Sequence, residues 1–150
     1  MTATVELVLT DQPPDSLRDL LGGGISAANE AALGPSGRHL LAILIRDKGE
    51  VIGGLLGRTS YKRLFVELLF VPERLRGQGM GEMILRQAED EARKRGCLGV
   101  WLETFSADAK RFYVRSGYRV FGEIPDYPPG NTRYFLSKDF ARRQDARREW

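Results

Sequence analysis

One cysteine, Cys97, and one histidine, His39, are all that the chain contains of either type. A lone cysteine cannot close an intrachain disulfide, and one Cys with one His cannot build a cysteine-based metal centre. No metal is therefore expected in the chemistry. Cys97 follows a glycine at a helix end with no histidine near it in sequence, so a small buried residue is expected there rather than an acyl-carrying nucleophile. Long apolar runs are also missing: nothing approaches the ~20 residues of a membrane span, and no secretory leader is visible at the N-terminus. A soluble, cytoplasmic protein without a membrane partner is the expectation. Charge of one sign is scarce as well, with 23 Lys and Arg against 20 Asp and Glu for a net charge of +3. The excess gathers in Arg142, Arg143, Arg147 and Arg148, which read as a solvated tail, and a nucleic-acid partner is disfavoured. Repeats and low-complexity tracts do not occur. What is present, 150 residues of which 42% are hydrophobic, suffices for one core. A single domain over residues 1 to 140 and a basic tail over 141 to 150 are expected.

The most informative stretch is Arg76-Gly77-Gln78-Gly79-Met80-Gly81. It follows an apolar, strand-like run from Leu64 to Val71 and precedes a charged amphipathic helix. Three glycines at alternate positions let the backbone turn tightly and approach a ligand closely. The following helix aims its unpaired N–H groups and positive dipole end at the same spot, and Arg76 adds a fixed cation. The stretch reads as a diphosphate cradle. A Walker loop is excluded because no Gly-Lys-Ser/Thr ends it, and G-x-G-x-x-G is incomplete and wrongly placed for a Rossmann unit.

Around the cradle the pattern predicts a mixed α/β sheet. Residues 3 to 9 alternate as a first strand would. A short helix near Asp15 to Leu21 is broken by Gly22-Gly23-Gly24, and a second runs from Ser26 to Leu33. Residues 38 to 46 and 50 to 60 read as strands joined at Asp47-Lys48-Gly49, with a third from Leu64 to Val71. Leu68 and Phe70 lie in a run apolar on both faces, which predicts cover on both sides. After the cradle, Met80, Ile84, Ala88 and Ala92 recur every four residues with Met83 and Leu85 beside them. Acid-first pairs, Glu82 with Arg86, Glu89 with Arg93, Asp90 with Lys94 and Glu91 with Arg95, occupy the other face, and Gly96 ends the helix. A strand from Leu98 to Thr104, a helix from Asp108 to Ser116, and strands from Tyr118 to Glu123 and Arg133 to Ser137 complete the plan.

With these elements in place, Arg76-x-x-Gly79-x-Gly81 resembles the signature of the GNAT superfamily of acyl-CoA N-acetyltransferases. Ala109-x-x-Phe112-Tyr113-x-x-x-Gly117-Tyr118 is similar to that family's downstream helix motif. The resemblance is good over about residues 40 to 138 and holds only in outline before that. It implies the GNAT fold, a mostly antiparallel central sheet flanked by helices, and acetyl-CoA as acetyl donor. It also implies that Arg76, Gly77, Gln78, Gly79, Met80 and Gly81 hold the pyrophosphate. Phe70 and Val71 would offer backbone groups to the pantetheine arm and the oxyanion, with Phe112 beside the cofactor. Ser106 stands where the family often has an Asn that contacts the cofactor arm.

Moving an acetyl group from a thioester to an amine poses two proton problems. The amine, with a pKa near ~10, must lose a proton before attack, and the departing thiolate must gain one. Resemblance carries the acid role onto Tyr113. For the base, Glu103 and Glu67 both stand inside strands, where a carboxylate is costly unless solvated or paired, and family branches use an acid at either place. Two loops are candidates for substrate choice: the Gly22 to Gly37 region and Pro125-Asp126-Tyr127-Pro128-Pro129-Gly130. In the second, Asp126 could attract a cationic amine and Tyr127 could cover it. An N-acetyltransferase acting on a primary amine of a small molecule or peptide, by direct transfer in a ternary complex, is the leading reading. A silent CoA sensor and a protein-acetylating regulatory factor are the alternatives, and pairing of exposed C-terminal strands leaves a homodimer open.

Overall fold

The structure, a computed structural model, describes residues 4 to 141, and the chain divides into two compact units, Met1–Ser36 and Gly37–Trp150. The arginine-rich tail over 142 to 150 lies outside the described residues. In the first unit the expected strand over 3 to 9 does not form; residues 4 to 9 are irregular, with Val5 and Leu7 exposed. An alternating segment becomes a strand only by pairing, and the six-stranded sheet does not include it. Helix α1, Leu17–Leu33, then runs through Gly22, Gly23 and Gly24 without a break. The two helices expected there are one. Glycine weakens a helix interior by roughly 1 kcal/mol per residue but does not forbid it, and helix formers flank the triplet. Gly34 ends the helix at φ 86°, its N–H donating to Glu30 O.

In the second unit the chain forms β1, His39–Asp47, β2, Glu50–Ser60, and β3, Arg63–Phe70, as consecutive antiparallel strands. Two-residue turns join them, with Lys48 and Gly49 and then Tyr61 and Lys62 all at positive φ. Such turns match the twist of the strands they connect. The cradle follows, then α2, Met80–Lys94, β4, Gly99–Thr104, α3, Ala107–Arg115, β5, Arg119–Pro125, and β6, Thr132–Asp139. The sheet order is β1-β2-β3-β4-β6-β5. Every neighbouring pair is antiparallel except β3 and β4, which run parallel over only three residue pairs, Arg63 with Gly99, Leu64 with Val100 and Phe65 with Trp101. Beyond Phe65 and Trp101 the two strands are no longer paired. In β3 the register against β2 slips where Leu56 faces Leu68 and Gly57 faces Val66, so Glu67 is the extra residue of a bulge.

Leu64, Leu85, Val100, Leu102 and Leu136 are fully buried and centre the core, to which α2 contributes Ile84, Ala88 and Ala92. Helix α2 packs on β1 to β4, and α3 on β4 and β5. Three expectations about side chains fail. Met83 faces solvent, and so do Leu68 and Phe70 of β3, so both faces of that strand are not covered there. Glu89 does not pair with Arg93 on the surface: it is 3% exposed, and Arg93 instead bonds Asp90, the partner expected for Lys94, and lies over the Phe140 ring. Glu89 accepts from Tyr118 Oη at 3.0 Å and from Lys138 Nζ at 2.7 Å, and Lys138 also donates to Ser116 O. An acid in the register of an i, i+4 pair is thus drawn inward by two donors, Tyr118 just before β5 and Lys138 in β6. Cys97 is buried as expected. Among the described residues no helix is long and apolar enough to cross a membrane.

Removing one member of a buried, paired charge leaves the other uncompensated, which costs about 3 kcal/mol or more. Glu89→Ala should lower the free energy of unfolding by about that amount in urea titrations, well beyond the effect of Glu82→Ala, whose Arg86 pair is exposed.

Candidate active site

The end of β3 and the start of α2 are linked by a 3-10 turn, Glu73–Leu75, and the glycine-rich stretch. Gly77 and Gly79 sit at φ 75° and 78°, in the left-handed region that a side chain disfavours. Gly79 is the N-cap of α2 and no side chain caps the helix. Met83 N–H is bonded to Gly79 O, so the N–H groups of Met80, Gly81 and Glu82 precede the intrahelical ladder. Those donors and the helix dipole point toward the turn, which fits a phosphate oxygen. Gly81 is in ordinary helical conformation; a Cβ there would meet only the Phe112 ring, at 3.6 Å. Arg76 Nε donates to Val71 O at 2.9 Å and its guanidinium stands 5.9 Å from the Phe70 ring. The cation is thereby tied to the last residues before the turn.

A cleft of about 1030 Å³ opens beside the cradle. Leu69, Phe70 and Val71 line it on one side, Arg76, Gly77, Gly79, Met80 and Gly81 along the turn, and Ser106, Ala109, Phe112 and Tyr113 on the other side. The space exists because β3 and β4 part after three pairs, leaving the end of β3 and the helix after β4 to face each other. Its volume lies at the upper end of the range typical of small-molecule and cofactor sites. Nearly all the residues expected to hold a cofactor are therefore brought together. Gln78 is the exception among them: its side chain folds back to donate to Arg74 O, and it is not part of the lining.

Tyr113 is buried against Phe112 and Tyr118, with ring centroids 5.2 and 5.7 Å away, while it also contributes to the cleft wall. Burial pushes its phenol up to about 12. Tyr118 is raised further, first by burial and then by the Glu89 carboxylate, which accepts a hydrogen bond from its hydroxyl. Ser106 caps α3, its Oγ accepting from Ala109 N, which occupies one lone pair of a side chain that still lines the cleft.

The expected carboxylates and loop residues are not in this lining. Glu67, on the β3 bulge, is half exposed and loosely paired with Arg58 at 3.6 Å. Glu103 accepts a hydrogen bond from Arg133 Nη1 at 2.9 Å. Asp126, at φ 55°, accepts from Gly130 N within its own loop, and Tyr127 covers Arg133 with the guanidinium carbon 4.1 Å from its ring. Arg133 and Phe105, which lies 5.1 Å from that carbon, are the members that sequence reasoning missed. Arg133 lies at the start of β6, and an arginine in a strand gives no sign of its partners.

Comparison with known proteins identifies the family and the fold. The model of the acetyltransferase (GNAT) family matches residues 10–118. An acetyltransferase of Agrobacterium fabrum is 39% identical over 137 residues, 91% of this chain and 100% of that protein. The blasticidin-S acetyltransferase of Streptomyces morookaense is 44% identical over 94 residues, 62% of this chain and 69% of that protein. An acetyltransferase crystal structure from Agrobacterium tumefaciens superposes with a TM-score of 0.87 at 39% identity, covering 91% of this chain and 100% of that one. The chain belongs to the GNAT family, and it is an acyl-CoA-dependent acetyltransferase.

Because the folded state favours the protonated phenols, the linkage has a definite sign. Below the ordinary phenol pKa of about 10 the two tyrosines contribute nothing to the pH dependence of stability. As pH rises from there toward about 12, where Tyr113 ionises in the fold, the unfolded chain binds fewer protons and stability falls. Alkaline difference spectra should show Tyr113 and Tyr118 titrating late, with the lag at Tyr113 absent from Tyr113→Phe.

Proposed function

We propose that the chain transfers the acetyl group of acetyl-CoA directly to a primary amine of a small molecule, with both substrates bound at once. The observation that carries this is the continuity of the cleft, from an uncapped helix N-terminus with Arg76 at one end to the Tyr113 phenol on its wall. Arg76, Gly77, Gly79, Met80 and Gly81 hold the pyrophosphate, and the backbone of Phe70 and Val71 and the Ser106 and Phe112 side chains line the path of the pantetheine arm. Bound there, acetyl-CoA supplies an acetyl group activated as a thioester. The blasticidin-S acetyltransferase relative favours a small-molecule acceptor over a peptide.

Tyr113 serves as the proton donor to the leaving sulfur in this reading. A phenol raised to about 12 stays protonated across the working range, and a positioned acid is worth about 10²-fold or more in rate. Of the two carboxylates, Glu67 is the better proton acceptor from the incoming amine. It stands two residues before the cleft lining on a bulge, a feature that re-aims a side chain, and its pairing with Arg58 is loose. Glu103 already accepts a charge-assisted hydrogen bond from Arg133, which makes it a poorer base. Asp126 serves its own loop and is assigned no contact with the acceptor.

Calorimetry with acetyl-CoA tests the foundation. Wild type should bind, and Gly79→Trp, whose side chain fills the cradle, should bind at least tenfold more weakly, by about 1.4 kcal/mol or more; equal affinity would remove the cradle from the reading. With an amine panel, Tyr113→Phe should keep the KM for acetyl-CoA and lose roughly a hundredfold in kcat. Glu67→Gln should lose about as much at neutral pH and recover as pH approaches the amine pKa near ~10. A Glu67→Gln profile parallel to wild type would shift the base elsewhere.

A further inference from the structure

Arg133 occupies an unusual setting for a surface-strand arginine. Its side chain is only 18% exposed and is paired with Glu103. Its guanidinium carbon lies 4.1 Å from the Tyr127 ring and 5.1 Å from the Phe105 ring. The walls around it are open: the Glu103 side chain is 38% exposed, Phe105 54% and Tyr127 48%. One carboxylate and two aromatic faces are the elements of a cation-binding box. Three separate pieces of chain build it, the end of β4, the start of β6 and the loop between β5 and β6. Phe105 is followed directly by Ser106, a residue of the cleft wall, so the box stands at the rim of the cleft.

The fit of Arg133 in the box is imperfect. Its Nε is buried and has no hydrogen-bond partner, and a buried unsatisfied donor costs free energy that release to water would recover. An anionic ligand is not what this site would take, because the Glu103 carboxylate already faces the guanidinium and the Nε that lacks a partner is covered. A cation is.

We propose that Glu103, Phe105 and Tyr127 form a subsite for a second cationic group of the acceptor, a guanidinium or ammonium, and that Arg133 fills this subsite from within when no acceptor is bound. The inference rests on the amine-acetyltransferase reading above and narrows it to acceptors with a positive group besides the amine that is acetylated. Glu103 is then a binding residue rather than the base, and Arg133 an internal competitor that an acceptor must displace.

The probes are agmatine, which carries a guanidinium and a primary amine, and pentylamine, which carries the amine alone, each titrated calorimetrically into protein saturated with coenzyme A. Arg133→Ala, which empties the box, should bind agmatine about tenfold more tightly than wild type and gain clearly less for pentylamine, whose single ammonium cannot occupy the box and the acceptor position together. Glu103→Gln, at an exposed position, should lose the preference for agmatine over pentylamine. Weaker or unchanged agmatine binding in Arg133→Ala, or an equal shift for both amines, overturns the proposal. Should Arg133→Ala melt early through lost packing, Glu103→Gln decides alone, and a preference that survives it is equally fatal. Failure of these tests with coenzyme A still bound sinks only the cation subsite; failure to bind acetyl-CoA at all sinks the broader reading.

Discussion

The site depends on a short ladder. Parallel strands β3 and β4 hold the two halves of the sheet together through Arg63 with Gly99, Leu64 with Val100 and Phe65 with Trp101, and then separate. Had the pairing continued in this register, Val66, Glu67 and Leu68 would face Leu102, Glu103 and Thr104, and the cleft beyond them would narrow. Leu64 and Val100 are fully buried at the junction, and Phe65 stacks on Trp101 with centroids 4.2 Å apart. Three residue pairs suffice because packing on α2 and across the junction supplements the hydrogen bonds. Parallel pairing also makes both strands point the same way, so the turn after β3 and the helix after β4 emerge at the same end of the sheet. That places the glycine cradle and Tyr113 on one cleft.

Helix α2 couples the two sides of the site. Its N-terminus forms the cradle, while its buried face carries Glu89, which binds Tyr118 and Lys138. Lys138 in turn holds Ser116 O, in the turn that ends α3. The Tyr113 ring packs against Tyr118. A charged residue in the core is a poor stabiliser compared with a well-packed apolar one, so this network is better understood as a geometric device: it fixes the C-terminal end of α3, and with it the phenol, relative to the helix that forms the cradle.

Much of this was legible in the sequence. The glycine-rich turn between β3 and α2, the order of elements from residue 38 onward, and the helix bearing Tyr113 were all read correctly, since glycine spacing and hydrophobic periodicity act locally. Reading failed where the deciding interaction is distant. Nothing near Glu89 says that Tyr118 and Lys138, 29 and 49 residues on, will draw it inward, and Arg93 four residues on suggests the opposite. The segment over 3 to 9 has the right alternation for a strand, but alternation does not supply a neighbour. Gly22 to Gly24 were read as a break because glycine is a poor helix former, yet its penalty is small beside that of proline, and the surrounding residues carried the helix through. The parting of β3 and β4 has no local signature either, apart from the bulge at Glu67 that only the register reveals.

The same distinction governs what the acceptor end can do. A carboxylate between two aromatic faces would attract nearly any cation, and an open box would hold small amines and inorganic cations alike. An arginine tethered within it changes the selection, because a ligand gains only the difference between its own contacts and those Arg133 gives up. Ligands whose cation is small, strongly hydrated or badly placed relative to the reacting amine lose that comparison. A planar guanidinium or a well-placed ammonium wins it, since it replaces an internal pair whose Nε lacks an acceptor. Discrimination then arises from competition as much as from attraction, at the expense of absolute affinity. Such a device confines substrate choice to a few residues at the rim, leaving the glycine-rich turn and the Tyr113 wall of the cleft unaltered.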